Sequence, residues 1–93
     1  MKGGSVMDEN VKQQIAEDII SLAGGIDNFK TCGPCATRVR FTLHDEKKAD
    51  FDAMKKIPNT IGCVRTFGQY QVIVGVGVNK EIADLIKQQM PKE

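Results

Sequence analysis

Two segments of the chain repeat hydrophobic residues every three or four positions, which is the period of one helix face. The first segment, 11–23, predicts a helix that Asn10 caps and that ends at Gly24. The second predicts a helix over 80–89 with Asn79 as its N-cap. The apolar positions are Val11, Ile15, Ile19 and Leu22 in the first helix and Ile82, Leu85 and Ile86 in the second.

Between these helices, extended segments predict four strands. The clearest strand covers 38–44, where Val39, Phe41 and Leu43 face one side and polar residues face the other. The remaining elements are strands over 28–32, 61–67 and 70–74, turns at Gly33-Pro34 and Gly68-Gln69, and a brief helix over 51–54 capped by Asp50. The order αββαββα predicts an α+β two-layer sandwich, in which a four-stranded antiparallel sheet carries three helices on one face.

Length and charge narrow the classes of function. The 93 residues suit one domain, which we assign to 10–90, with a disordered lead-in at 1–9 and a tail at 91–93. A formal net charge of +1 and the lack of tryptophan argue against a nucleic-acid partner. No apolar run approaches the roughly 18 residues that cross a bilayer. The first residues lack the apolar core of a secretory signal, so a cytoplasmic location is expected.

One short segment concentrates the reactive side chains. Cys35, Thr37, Arg38 and Arg40 lie within six residues of one another. Nearby cations favour the thiolate, the nucleophilic form of cysteine, and two arginines two positions apart on a strand point to the same face. The backbone amides of Ala36 and Thr37, with the Thr37 hydroxyl, can hold phosphate oxygens while the guanidinium groups balance their charge. The segment predicts a cysteine that accepts a phosphoryl group.

Two other hypotheses use the same cysteines. Cys32-Gly33-Pro34-Cys35 has the letters of the thioredoxin redox motif, although that motif opens a helix and strand-forming residues follow it here. Alternatively, Cys32, Cys35, His44 and Cys63 supply the ligand types of a structural zinc site. Only the first two are closely spaced, whereas structural zinc sites usually take their ligands in close pairs.

Simpler interpretations apply to the residues around these motifs. Cys63 lies among apolar neighbours and is expected in the core, because cysteine is among the most frequently buried residues. His44 and Arg65 are expected at the surface. Gln71 is either an accessory residue that reaches the Cys35 site from a neighbouring strand or an ordinary polar residue of the sheet.

Three blocks occur in order along the chain: Gly24–Phe29, Cys35–Phe41 and Gln69–Gly75. The specific part is the second block, which reads Cys-Ala-Thr-Arg-Val-Arg-Phe. Together the blocks resemble a bacterial phosphotransferase-system IIB domain of the glucose–sucrose–β-glucoside superfamily. The resemblance covers roughly Ile15–Met90, nearly the whole domain.

This resemblance implies a fold, an activity and a set of partners. The family fold is a four-stranded antiparallel sheet with helices on one side. Such domains take a phosphoryl group from a histidine of the IIA protein or domain onto the motif cysteine, here Cys35, and pass it to a sugar held by the membrane-embedded IIC part. Arg38 and Arg40 are implicated in the second transfer. The chain would be a protein-phosphocysteine–sugar phosphotransferase without metal or organic cofactor, at the cytoplasmic face of the inner membrane when linked to IIC.

The chain departs from the family pattern at a few positions. Asp27, Phe29 and Val39 stand where the family often has Glu, Ile and Leu, and these exchanges keep polarity and bulk. Cys32 is an addition beside the expected nucleophile. We expect it to be able to form a disulfide with Cys35 under oxidation, which would block phosphorylation.

Overall fold

The computed structural model describes residues 8–91, and within them it has the predicted order of helices and strands. The helices are α1 (Glu9–Leu22), α2 (Phe51–Met54) and α3 (Val78–Gln89), and the strands are β1 (Phe29–Cys35), β2 (Arg38–Leu43), β3 (Gly62–Thr66) and β4 (Gln69–Ile73). Residues 1–7 of the predicted lead-in and 92–93 of the predicted tail lie outside the described residues. None of the helices in the described part is long and apolar enough to cross a membrane.

The strands form one antiparallel sheet in the order β1-β2-β4-β3. The helices share one face: α3 packs on β1 and β2, α2 packs on β3, and α1 packs on α2 and α3. The predicted α+β two-layer sandwich is therefore confirmed. We call the opposite side of the sheet the open face, and Arg38, Arg40 and Gln71 lie on it.

The core lies between the sheet and the helices. Val39, Phe41 and Leu43 are buried, which confirms the predicted alternation in β2. The ring of Phe41 stacks on that of Tyr70 in β4, with centroids 5.4 Å apart. The helices contribute the buried residues Ile15 and Ile19 from α1 and Ile82 and Ile86 from α3. This burial of the predicted helix stripes against β2 and β4 holds the two layers together.

Two of the three predicted helix caps are wrong. Asn10 lies inside α1, whose N-cap is Asp8, and Asn79 lies in the first turn of α3, whose N-cap is Gly77 with a φ of 83°. The cap at Asp50 is confirmed, because its carboxylate accepts a backbone N–H of α2. Cap preferences describe an isolated helix end, whereas the Asn79 side chain finds its partners elsewhere in the fold.

The predicted turns are also displaced. Gly33 and Pro34 belong to β1, which tolerates proline because it is an edge strand. The two-residue hairpin loops are instead Ala36-Thr37 and Phe67-Gly68. In both loops the first residue has a positive φ, 57° for Ala36 and 52° for Phe67, a conformation that preference rules reserve mostly for glycine. Cys35 is consequently the last residue of a strand and not a turn residue.

Candidate functional site

The β1–β2 hairpin brings the predicted nucleophile and both arginines to one side of the sheet. Cys35 and Arg38 are directly opposite one another across the Ala36-Thr37 loop. Directly opposed residues of an antiparallel pair project to the same face, and residues two apart on a strand do so as well. Cys35, Arg38 and Arg40 therefore share the open face. Gly33 lies opposite Arg40, so the β1 position directly across from this arginine has no side chain.

Gln71 on β4 holds Arg38. The Nη1 group of Arg38 donates a hydrogen bond of 2.7 Å to Oε1 of Gln71, and Gln71 lies opposite Arg40 in the β2–β4 ladder. An amide oxygen orients the guanidinium group without neutralising its charge. Among residues 8–91, no carboxylate forms an ion pair with Arg38 or Arg40. Their positive charge is thus available to an anion on the open face.

Three consecutive carbonyl groups anchor the hairpin loop to the rest of the fold. The carbonyl of Thr37 accepts the backbone N–H groups of Val74 and Gly75, each at 3.0 Å. The Asn79 side chain donates to the carbonyls of Ala36, at 2.9 Å, and Arg38, at 3.1 Å. In the described part of the chain, the N–H groups of Ala36 and Thr37 donate to no protein acceptor. Successive free amides in a turn form a concavity that suits an anion.

Cys35 also borders a cleft between the hairpin loop and the start of α3. The cleft has a volume of about 380 Å³. Its lining residues are Pro34, Cys35, Ala36, Val76, Gly77, Asn79 and Lys80. The N-terminus of α3 and the Lys80 ammonium group both contribute positive potential to it. A larger cleft of about 580 Å³, lined by Phe51 and Arg65 among others, contains no cysteine.

The predicted second cysteine of the site does not lie beside the first. Cys32 is opposite Phe41 and packs against the core, so its side chain faces the helices while that of Cys35 faces the other way. Burial raises the pKa of the Cys32 thiol to about 11, a shift that Lys87 opposes and Asp84 reinforces. Cys32 is therefore poorly suited to act as a nucleophile at neutral pH.

The geometry of β1 contradicts both roles that depended on pairing Cys32 with Cys35. Three residues of extended strand separate their Cα atoms by about 10 Å, whereas a disulfide needs less than about 7 Å. The expected Cys32–Cys35 disulfide is incompatible with this strand. The thioredoxin hypothesis is wrong for a related reason: the two cysteines lie in a strand and do not open a helix.

The zinc hypothesis is also wrong. Cys35 and Cys63 lie on β1 and β3, the two edges of the sheet, which are about 14 Å apart at the usual strand spacing. Cys63 is buried, as predicted, and burial raises its pKa to about 11. His44 is exposed beyond the end of β2. Over residues 8–91, no group of three or more His, Cys, Asp or Glu side chains is placed to hold a metal ion.

Asn79 and Lys80 are the site residues that the sequence analysis missed. Both lie more than 40 positions along the chain from Cys35, and only the packing of α3 beside the hairpin brings them to the cleft. The available signal was Asn79 itself, directly after a glycine-rich stretch at the end of β4. A helix cap was the simpler interpretation of an asparagine in that position.

A family model described as phosphotransferase system, EIIB matches residues 17–50, which include Cys35, Arg38 and Arg40. The chain is also similar to curated proteins. It is 42% identical over 76 residues to the sucrose-specific EIIBC component of Klebsiella pneumoniae, covering 81% of this chain and 17% of that protein. It is 40% identical over 74 residues to the trehalose-specific EIIBC component of Bacillus subtilis (strain 168), covering 78% of this chain and 16% of that protein.

The chain therefore spans about a sixth of the length of these curated relatives. A solved structure is similar over nearly the full domain. This structure is one domain of the PTS system IIabc component from Clostridium difficile, with a TM-score of 0.77 and 27% sequence identity. The match covers 94% of this chain and 96% of the solved one, so the two domains share the whole fold.

Proposed function

The chain belongs to the phosphotransferase-system EIIB family, and from that premise we propose that Cys35 carries a phosphoryl group from a partner protein to a sugar. The donor is a phosphohistidine of a IIA protein or domain, and the acceptor is a sugar held by a IIC membrane domain. The observation that carries this proposal is the placement of Cys35 opposite Arg38, beside a loop with two free backbone amides.

The proposed reaction consists of two displacements at phosphorus. In the first, the Cys35 sulfur attacks the phosphorus atom, an S–P bond forms, and the N–P bond to the histidine ring breaks. Overall the thiol loses its proton and the imidazole gains one. In the second, a sugar hydroxyl oxygen attacks, an O–P bond forms, the S–P bond breaks, and the proton of the hydroxyl returns to the thiol. The phosphoryl group is conserved throughout.

The surrounding residues supply charge balance and orientation, which are the main demands of phosphoryl transfer. The guanidinium groups of Arg38 and Arg40 pair with the phosphoryl oxygens, and Gln71 keeps Arg38 in place. The amides of Ala36 and Thr37, with the Thr37 hydroxyl, bind the oxygens on the loop side. These groups can bind the phosphoryl group without a metal ion or organic cofactor.

The partners follow from the same proposal. We assign the phosphocarrier domain to 10–90 and place it on the cytoplasmic side of the membrane, where it docks IIA and IIC in turn. The names of relatives, such as the β-glucoside-specific EIIBCA component of Halalkalibacterium halodurans, describe B, C and A parts within one protein. This domain is too small to enclose a sugar, so sugar specificity resides in the IIC part. Nucleic acid is not among the proposed partners.

The proposal is tested by incubating the protein with a phosphorylated IIA protein and measuring its intact mass. We expect one phosphoryl adduct, which Cys35→Ser abolishes. Cys32→Ser and Cys63→Ser are the matched controls and should keep the adduct. Loss of the adduct in Cys32→Ser together with its retention in Cys35→Ser would show that the nucleophile is misassigned.

A further inference from the structure

Asn79 connects α3 to the Cys35 hairpin through its side chain. It is 2% exposed. Both hydrogens of its amide nitrogen point at the loop, because Nδ2 donates to the carbonyl oxygens of Ala36 and Arg38. Its own backbone N–H donates to the carbonyl of Gly75 at 3.3 Å. The side chain is thus committed to the carbonyl groups of the two residues on either side of Thr37.

The hydrogen bond from Asn79 to the Ala36 carbonyl also fixes the direction of the Thr37 N–H. The carbonyl of Ala36 and the N–H of Thr37 belong to one planar peptide group, and no peptide bond in the described chain is cis. In a trans peptide these two groups point in opposite directions. When Asn79 holds the Ala36 carbonyl toward α3, the Thr37 N–H must therefore point away from α3.

We propose that Asn79 is a positioning residue for phosphoryl transfer: by holding the Ala36 carbonyl, it aims the Thr37 N–H at the phosphoryl group on Cys35. This inference rests on the proposed role of Cys35. The hydrogen bonds of the Asn79 side chain go to loop carbonyl oxygens and not to the Cys35 sulfur. Asn79 acts through one peptide plane, which it keeps in the orientation that binds an anion, so the loop does not have to reorganise during transfer.

The chain offers a matched control for Asn79. Asn28 is also buried, at 5% exposed, and its Nδ2 likewise donates to two carbonyls, those of Ala23 at 2.7 Å and Asp45 at 2.9 Å. It ties the end of α1 to the turn after β2, far from the Cys35 hairpin. An asparagine that only satisfies buried carbonyls should behave like Asn28.

The first experiment compares Asn79→Ala with Asn28→Ala. Both variants should lose stability, measured by urea unfolding, because each leaves buried carbonyls without donors. With phosphorylated IIA as donor, Asn79→Ala should lower the maximal rate of Cys35 phosphorylation about tenfold or more while leaving the KM for the donor unchanged. Asn28→Ala, assayed under conditions where it is folded, should keep the wild-type rate. Equal rates in the two variants would overturn the positioning role.

The second experiment needs no variant and so does not depend on how well Asn79→Ala folds. In the ¹⁵N-labelled wild-type protein, phosphorylation of Cys35 should shift the amide resonance of Thr37 strongly downfield, as a new hydrogen bond to an anion does. The amide of Gly68, in the other hairpin loop, should not move. An unchanged Thr37 resonance in the phosphorylated protein would overturn the inference while leaving the role of Cys35 intact. A wild-type protein that takes no phosphoryl group on Cys35 would overturn the proposed function and this inference with it.

Discussion

The sheet is built from two hairpins that look alike locally and differ in their surroundings. Both are closed by two-residue loops, Ala36-Thr37 in one and Phe67-Gly68 in the other, and each loop begins with a non-glycine residue at positive φ. In the β3–β4 loop, Gly68 also has a positive φ, of 77°, which suits a tight hairpin turn without outside help. The β1–β2 loop has no glycine.

Tertiary contacts make the difference between the two loops. The Ala36-Thr37 loop is held by Val74, Gly75 and Asn79. Across residues 8–91 no side chain donates a hydrogen bond to the Phe67-Gly68 loop, and the Phe67 ring is fully exposed. A loop with a strained backbone keeps its amides in a fixed arrangement when hydrogen bonds tie its carbonyls to neighbouring elements. The comparison teaches that anchoring, and not turn geometry alone, distinguishes the candidate site.

The largest expected effect separates the arginines of the two hairpins. Arg38→Lys keeps the charge but removes the planar fork that pairs with a phosphoryl group. We expect it to spare phosphorylation of Cys35 and to lower sugar phosphorylation on the order of 100-fold. The assay supplies phosphorylated IIA and membranes that contain a IIC domain. Arg65→Lys, on β3, is the matched control and should behave as wild type. Equal sugar phosphorylation in Arg38→Lys and wild type would show that the Arg38 guanidinium is no more important for transfer than that of Arg65.

A smaller effect concerns the stability of the second hairpin. Gly68→Ala places a side chain at a φ of 77°, with its Cβ 3.0 Å from Oε2 of Glu46. The flexible Glu46 can move, so the cost is mainly backbone strain, and we expect a loss of about 1 kcal/mol in the free energy of unfolding. Gly62→Ala has open space and should change stability little. Phosphorylation of Cys35 should be unchanged in both variants. A slower rate of phosphorylation in Gly68→Ala would show that the second loop affects the first, contrary to this expectation.

A further effect is one in which the hairpins should agree. Burial raises the pKa of Cys32 and of Cys63 from 9.0 to about 11. Between these pH values the unfolded chain releases the thiol protons and the folded chain keeps them, so stability falls as pH rises from about 9 to about 11 and not below. Cys32→Ala and Cys63→Ala should each flatten that decline, measured by urea unfolding across this pH range. An undiminished slope in either variant would show that its thiol is not protected by burial.

Periodicity was enough to predict the arrangement of layers. The alternation in 38–44 correctly placed Val39, Phe41 and Leu43 in the core and both arginines on the opposite side. This worked because burial on one face of a strand or helix imposes a repeat that the chain carries locally. The Cys35-to-Arg40 segment was identified for the same reason, since its reactive groups are neighbours in sequence.

Periodicity could not predict the positions of the hairpin loops or the face of the sheet on which Cys32 lies. A turn with a positive φ is usually predicted from a glycine, and position 36 is an alanine. Ala36 has its positive φ in a loop whose carbonyls accept hydrogen bonds from Val74 and Gly75, at the end of β4, and from Asn79 in α3. The turn lies at Ala36-Thr37, three positions after the predicted Gly33-Pro34, so Cys32 and Cys35 both belong to β1 and, three residues apart, face opposite sides of it.

The amino-acid sequence by itself determined which faces are buried, the order of the elements and the segment that contains the candidate site residues. Only the tertiary structure decided which cysteine lies on the open face, which loop is anchored, and that Asn79 reaches the Ala36 and Arg38 carbonyls from more than 40 residues away. The physical reason is the separation along the chain between the residues that interact. Hydrophobic periodicity reflects the geometry of a single element, whereas a hydrogen bond between α3 and a distant hairpin exists only after both have packed on the same core.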